Sequence, residues 1–446
     1  MPDRAASGRA ARRRVGRGGR EWRFGCVIMT VADASIASAG AIAFLGKEAA
    51  YWRLRLKGAA LLMLTLGLYR FWFATDVRRF LWSNTEIEGD TLEYTGLATE
   101  LLGGFLIAIA ILVPLYTAFA IAALEFSPRS IVVVMIGLSL VAFLAAFALY
   151  RARRYRLSRT VFRGIRFDQH GPAWPYALFA VAWWCIVIIT LGLAYPWAQA
   201  SLQRYKMRHT SYGDLPGAFA GKGIVLFWRG LPIWLLFVGP ILVAFFALGT
   251  LIDWDALSTA MTQGDEATLT FIEGSLQFRH AIAIAGLCVA VAALAAVLLY
   301  PLFQAIVLRW WISGLRFGTV VVTSRLKTAA VYWVYLRFIL YILLLMLGAM
   351  VVGAICLFIV SILVGPSHDS TVAELLATAI TIGLYVVVAL GASTVHQVVV
   401  TLSIWRLGLE TAELGGVEVL NAVHASGRPS SALGEGLADA LGVGGM

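Results

Sequence analysis

The chain has 446 residues, of which 60% are hydrophobic and only 14% charged, with a mean hydropathy of +0.82. Soluble domains carry roughly 45–50% apolar and about 25% charged residues because their surfaces face water, so this composition excludes an ordinary soluble enzyme and, equally, a disordered chain. The formal charge of +11 rests almost wholly on arginine, Lys47, Lys57, Lys206, Lys222 and Lys327 being the only lysines. These cations stand in short clusters beside apolar runs, which reads as orientation signal and phospholipid contact and not as a nucleic-acid surface.

Residues 1–40 form a basic arm with eight arginines before residue 24, expected to be disordered because it has no apolar run to bury. It lacks the short apolar run and cleavage site of a secretory signal, and the start lies at Met1 or at Met29. Crossing the hydrocarbon takes about twenty apolar residues. Eight stretches approach that length: 58–75, 101–124, 131–150, 176–200, 230–252, 281–308, 338–364 and 376–402. Arg70 is the only charged residue within them, so a proton relay of intramembrane carboxylates lacks its parts.

Charge then tests how many of the eight cross. With eight crossings and a cytoplasmic N-terminus, ten basic residues fall outside: Arg78, Arg79, Arg279 and seven arginines between 151 and 166. If 58–75 and 176–200 instead enter and return, or lie along the interface, only Arg129 and Arg279 face outward. The outer loop 253–280 is then acidic, with Asp253, Asp255, Asp265, Glu266 and Glu273. The expected fold is therefore an all-α polytopic bundle of six spanning helices plus two re-entrant or interfacial helices, with both termini cytoplasmic. Eight spans are the alternative, since 176–200 is long enough to cross.

The two exceptional stretches resemble each other. Thr65-Leu66-Gly67-Leu68-Tyr69-Arg70-Phe71-Trp72 returns as Thr190-Leu191-Gly192-Leu193-Ala194-Tyr195-Pro196-Trp197. Each leads to an aromatic-basic patch, Arg79-Phe80 or Arg204-Tyr205, and then to a Gly-broken segment containing Thr, 85–94 or 210–213. Arg154-Tyr155 and Arg309-Trp310 are fainter echoes. Alternating residues around Gly-Asp or Gly-Thr predict short β-hairpins at the cytoplasmic face. This divides the chain into the arm 1–40, membrane repeat units 41–163 and 164–313, a diverged third unit 314–402 and a cytoplasmic tail 403–446.

The Thr-Leu-Gly-Leu, Pro-Trp-Ala and Arg-Tyr blocks, the ends Phe44-Leu45-Gly46 and Phe219-Ala220-Gly221, and the tail Gly434-Glu435-Gly436-Leu437-Ala438-Asp439-Ala440-Leu441 together resemble the YjgN family of bacterial inner-membrane proteins. The likeness runs from about Ile42 to the C-terminus. It implies a multi-pass inner-membrane protein, and it brings neither an established activity nor catalytic residues. Phe71 stands where the second copy has Pro196, so a helix break expected at Pro196 is expected to be weaker in the first copy.

Few residues carry chemistry. His396 and Gln397 interrupt an apolar helix, and an imidazole in hydrocarbon needs a partner; the pair is a candidate intramembrane polar site, or a histidine bonded to a neighbouring helix. Arg70, Arg79, Arg204 and Arg309 are candidate lipid-phosphate contacts, because guanidinium meets phosphate through paired donors; orientation signal is the plainer alternative. Pro196 removes a helical donor and is the candidate helix break. Cys26, Cys185, Cys288 and Cys356 show no zinc or redox spacing, the histidines no metal spacing, and the chain no phosphate loop or nucleophile elbow. No enzyme, cofactor or metal is therefore expected. Two functions stay open: a small-molecule or lipid transporter, suggested by repeated units with broken helices, and a non-transporting membrane-structural or lipid-interacting protein. The expected partners are membrane lipids, mainly anionic, with no nucleic acid; the oligomeric state is not legible. A polar cavity at mid-membrane depth would favour the first function, and lateral lipid grooves the second.

Overall fold

The computed structural model describes residues 40–125, 130–364, 370–426 and 430–443. Residues 1–39 of the basic arm, with Cys26 among them, and Arg129 lie outside the described residues, and Gly40, the last residue assigned to the arm, already belongs to the first strand. Strand β1 (Gly40–Phe44) leads into a short helical hairpin, α1 (Glu48–Leu64) and α2 (Arg70–Ser83), which returns to β2 (Thr85–Ile87), β3 (Asp90–Thr91) and β4 (Glu93–Tyr94). The long helices α3 (Ala98–Glu125) and α4 (Ser130–Ser158) follow, then β5 (Thr160–Phe162) and β6 (Ile165–Gln169). A second short hairpin, α5 (Ala173–Ile189) and α6 (Tyr195–Arg208), leads to β7 (Thr210–Tyr212) and β8 (Leu215–Phe219). Next come α7 (Gly223–Leu251), two short helices α8 (Trp254–Gln263) and α9 (Asp265–Gly274), and α10 (Leu276–Gly314), ending in β9 (Leu315–Phe317) and β10 (Val320–Ser324). The last pair is α11 (Thr328–Val364) and α12 (Ser370–Val395); the latter continues through a π-helical turn (His396–Leu402) and α13 (Ser403–Glu410) into β11 (Ala412–Gly415). A 3-10 turn (Val417–Ala422) and a helix α14 (Leu433–Ala440) are the last of the described elements.

All the strands join one antiparallel sheet in the order β3-β2-β1-β11-β10-β9-β8-β7-β6-β5-β4. Its two edge strands, β3 and β4, are separated in the chain only by Leu92, so the run 90–94 pairs with β2 through its first half and with β5 through its second. The sheet thereby closes on itself and leaves no free edge for aggregation. Side chains fill the ring. Phe167 on β6 lies 6.2 Å, centroid to centroid, from Phe317 on β9, whereas three strand steps along a flat sheet would separate them by about 14 Å. Ile42, Ile87, Val320, Val322 and Leu414 pack together beside them, with Val417 and Leu420 of the 3-10 turn added to the cluster. That turn runs over the hairpin tips, where Asn421 accepts from Arg163 (2.8 Å) and the His424 amide donates to Asp214 (3.1 Å).

Two-residue turns make the hairpins. Glu88-Gly89 and Arg163-Gly164 hold both residues at positive φ, the turn whose twist matches the flanking strands. Gly213-Asp214 and Gly318-Thr319 each open on a glycine at φ 54°, at the Gly-Asp and Gly-Thr signals in the sequence.

The ring also bears on the number of crossings. β1 pairs with β2 (Phe44 with Thr85) and β6 with β7 (Phe167 with Tyr212), so the chain on either side of 58–75, and of 176–200, is hydrogen-bonded on one face. A stretch whose two flanks pair with each other cannot be a single crossing, which removes the eight-span alternative. Six helices are long and apolar enough to span: α3, α4, α7, α10, α11, and α12 continued through α13. The two short hairpins turn back on themselves and return to the sheet. Their tips are apolar and uncovered, Leu66 at 95% and Leu191 at 56% exposure, as suits residues dipped into lipid.

The break between α1 and α2, and between α5 and α6, comes from the Thr-Leu-Gly-Leu block. In the first, Leu66 and Gly67 take φ of 49° and 90°; in the second, Leu191 and Gly192 take 49° and 92°. Thr65 donates to the Leu61 carbonyl and accepts the Tyr69 amide, and Thr190 does the same between Ile186 and Ala194. One hydroxyl thus satisfies the end of one helix and the start of the next. Pro196 does not make the break. It sits in the first turn of α6, where no intrahelical donor is lost, and the first copy turns equally well with Phe71 in its place.

Candidate functional site

The two short hairpins correspond at a constant offset of 125 residues (65 to 190). Arg79 donates to the Gly96 carbonyl at 3.2 Å, and Arg204 to the Gly221 carbonyl at 3.3 Å, at that same offset. The two hairpins nevertheless face different surroundings, and a cavity lies against each.

Beside α5 and α6, the hairpin tip and the spanning helices α7 and α10 enclose a groove of about 450 Å³. Leu191, Tyr195, Leu226, Gly230, Phe237 and Phe303 are among its walls, and nearly all of the lining is apolar. The Trp234 indole closes one side by donating to the Leu191 carbonyl at 2.7 Å. The volume falls within the range of small-molecule sites, but the convergent polar groups that would orient a polar ligand are missing from the walls.

Beside α1 and α2 the chemistry is reversed. A cavity of about 220 Å³ is lined by Arg55, Arg70, Arg78, Gln397, Glu435 and Asp439, with Phe71, Phe73 and Leu101 as apolar walls. Both acids come from α14, which lies between α3 and α4. Gly436 permits this approach, since a Cβ there would overlap the Gly104 carbonyl, and one on Gly434 would overlap Arg151. Arg78 pairs with Glu435, both side chains being almost fully buried at 6% and 7% exposure; it also donates to the Tyr94 hydroxyl at 3.1 Å. Arg156 stands 3.7 Å from Glu435, and Arg70 pairs with Asp439 at 2.6 Å. Arg55 lies over the Phe73 ring at 4.8 Å. Burial works against the Arg78 charge, but Glu435 and the Tyr94 hydroxyl more than offset it and hold the guanidinium above its ordinary value. Burial pushes the Asp439 carboxyl up, with Arg70 opposing and Glu435 adding to the rise.

Residues 39–440 match the family described as "Bacterial protein of unknown function (DUF898)". The chain belongs to that family. No curated protein and no solved structure matches it. The family match spans both cavities and all eleven strands of the closed sheet, running from just before β1 to the end of α14.

The structure separates the residues singled out from sequence. His396 and Gln397, adjacent in the chain, point apart. His396 is exposed and meets Phe338 edge-on at 5.7 Å, whereas Gln397 lines the arginine cavity with its side-chain oxygen unbonded. They do not form one polar site. Arg70 is committed to Asp439, and Arg309 donates to the Thr328 hydroxyl at 3.0 Å. Arg79 and Arg204 are exposed and each donates to one backbone carbonyl. Among the described residues, no group of three His, Cys, Asp or Glu is placed to hold a metal ion. Sequence reasoning missed Arg55, Arg78, Glu435 and Asp439. The signal was present in part: Arg78 follows Arg70 by eight residues, on one face of a helix, and the tail block carries its acids four apart.

Proposed function

We propose that this protein is a lipid-interacting component of the bacterial inner membrane, with the groove between the second short hairpin and α7–α10 accepting a lipid acyl chain. The groove itself carries the reading: about 450 Å³ of almost wholly apolar space, bounded by two spanning helices whose outer faces expose Leu235, Leu236, Leu294 and Leu298. At that position the surrounding solvent is lipid, and a chain entering the groove recovers the van der Waals contacts that its bare walls lack. Transport of a polar solute has less support, because the polar cavity near the first hairpin is partly filled by α14, whose carboxylates pair with its arginines. The likeness to the YjgN family, the duplication of one unit into 41–163 and 164–313, and the cytoplasmic placement of the ring and both termini belong to the same reading. Reporter fusions after Arg166 and after Gln263 should lie on opposite sides, Arg166 inside; Arg166 outside would reverse the orientation.

The decisive test of the groove is photolabelling with a phospholipid carrying a diazirine in its acyl chain. Label is expected on α7 and α10 peptides. Gly230 lines the groove, and a Cβ there meets no atom within 4 Å, so Gly230→Phe fills the space without displacing backbone. Labelling of these peptides should fall at least tenfold while labelling of α11 persists. Unchanged labelling in the variant rules the groove out as the site.

A further inference from the structure

The groove beside the second hairpin has a counterpart beside the first, and there helix α14 of the same chain forms part of the wall. Tyr195, Pro196 and Leu226 line the groove. The residues 125 positions earlier, Arg70, Phe71 and Leu101, line the arginine cavity. In the second unit the space is open and apolar; in the first, α14 lies against Leu101, Leu102 and Phe105 through Ala432 and the helix that follows. We propose that α14 is a built-in occupant of an anionic-lipid site, its carboxylates standing where the phosphate of a headgroup binds Arg70 and Arg78 on α2.

Four observations carry this. The acids are one helical turn apart on one face, so Glu435 reaches Arg78 while Asp439 reaches Arg70. Carboxylate and phosphate present the same paired oxygens to a guanidinium, which makes the first a fair substitute for the second. A cavity of about 220 Å³ remains beside the pairs, lined further by Arg55 and by the Gln397 amide, so the tail fills the site only in part. The ring, finally, is independent of the tail: the stretch leading into α14 is anchored to α4, through Ser430 with Ser158 (2.9 Å) and Ser431 accepting from Arg151 (3.2 Å), and the sheet is closed by strand pairings in which α14 takes no part. Withdrawal of the helix leaves that sheet intact. A buried ion pair is a poor net stabiliser because desolvation consumes much of its attraction, so exchange of carboxylate for phosphate opposite the same arginines comes near to balance. Lipid supply then sets which occupant is present.

This rests on the correspondence of the two units in the proposed function, but its test reads the other unit. Hydrogen exchange of 433–443 is followed in the full-length chain in nanodiscs of phosphatidylcholine, of equal phosphatidylcholine and phosphatidylglycerol, and of phosphatidylcholine with inorganic phosphate at matched ionic strength. Exchange is expected to rise at least tenfold with phosphatidylglycerol and to stay at the phosphatidylcholine level with phosphate. A rise with phosphate alone would overturn the lipid as the source of the phosphate, and unchanged exchange in both would overturn the site. Native mass spectrometry gives the second arm. A chain ending at residue 429 should retain one more phosphatidylglycerol than the full chain, and Arg70→Gln with Arg78→Gln in that background should lose it. Equal retention in the full and shortened chains overturns the proposal; if the shortened chain does not fold, the exchange arm decides. Loss of groove labelling by Gly230→Phe is independent of both arms, so failure of one reading is distinguishable from failure of the other.

Discussion

Glu435→Gln is the perturbation that the docked tail should feel most. Arg78 and Glu435 are only 6% and 7% exposed, so solvent does not screen their attraction as it does at a surface, and removal of one partner from a buried pair typically costs about 3–5 kcal/mol. Two features place this pair at the lower end. Arg78 keeps its bond to the Tyr94 hydroxyl, and a glutamine oxygen can still accept from the guanidinium. A cost of about 3 kcal/mol, borne by α14 as a local opening, corresponds to roughly a 150-fold rise in amide exchange. The amides to follow are Gly436, bonded to the Ala432 carbonyl, and Leu441, bonded to the Leu437 carbonyl. Arg78→Met alone leaves Glu435 with Arg156 at 3.7 Å, so its effect should be smaller. The double variant should lie about 2 kcal/mol closer to wild type than the sum of the single changes, because neither charge is then left without its partner. Strict additivity would show that the two side chains do not act as a pair, and the account of how the tail is held would be wrong.

Gly436→Leu should undock α14, since any Cβ there overlaps the Gly104 carbonyl; full exchange of 433–443 with the ring strands still protected is the expected pattern, and protection of the tail would contradict the packing. Lys206 on α6 is held down to about 8 by burial and by the neighbouring Arg153 charge. A base with a lowered folded value is destabilising while charged, so stability should rise as pH climbs from about 8 towards its ordinary value near 10.5; Lys206→Met should flatten that rise in a thermal scan and raise Tm at pH 7. Gly192 turns the second hairpin at φ 92°, and Gly192→Ala should cost about 1 kcal/mol, read as a lower Tm, whereas Gly230→Ala in a helix should not lower it. Trp234→Phe removes the bond to the Leu191 carbonyl and should increase exchange of the Leu193 and Ala194 amides several-fold, with α1 and α2 unaffected.

Hydropathy and charge made the membrane class legible, and the arginine distribution alone favoured six crossings over eight, because both are additive properties of short stretches that the bilayer reads locally. The β-turns were legible for a similar reason: Gly213-Asp214 and Gly318-Thr319 state a backbone conformation within two residues. The helix break was misplaced at Pro196 because proline's effect depends on position. At the first turn it costs nothing, and the turn belongs to Thr190 and Gly192, whose role emerges only from the hydrogen bonds they make. Beyond local reach the sequence was silent. Ring closure depends on β11 pairing with β1, Leu414 with Gly40, and the arginine cavity on Glu435 meeting Arg78 across 357 residues. Such contacts leave no spacing to read, since the energy that selects them comes from tertiary burial: a guanidinium already committed to the interior accepts whichever carboxylate the fold delivers, and only the fold says that it is the tail's.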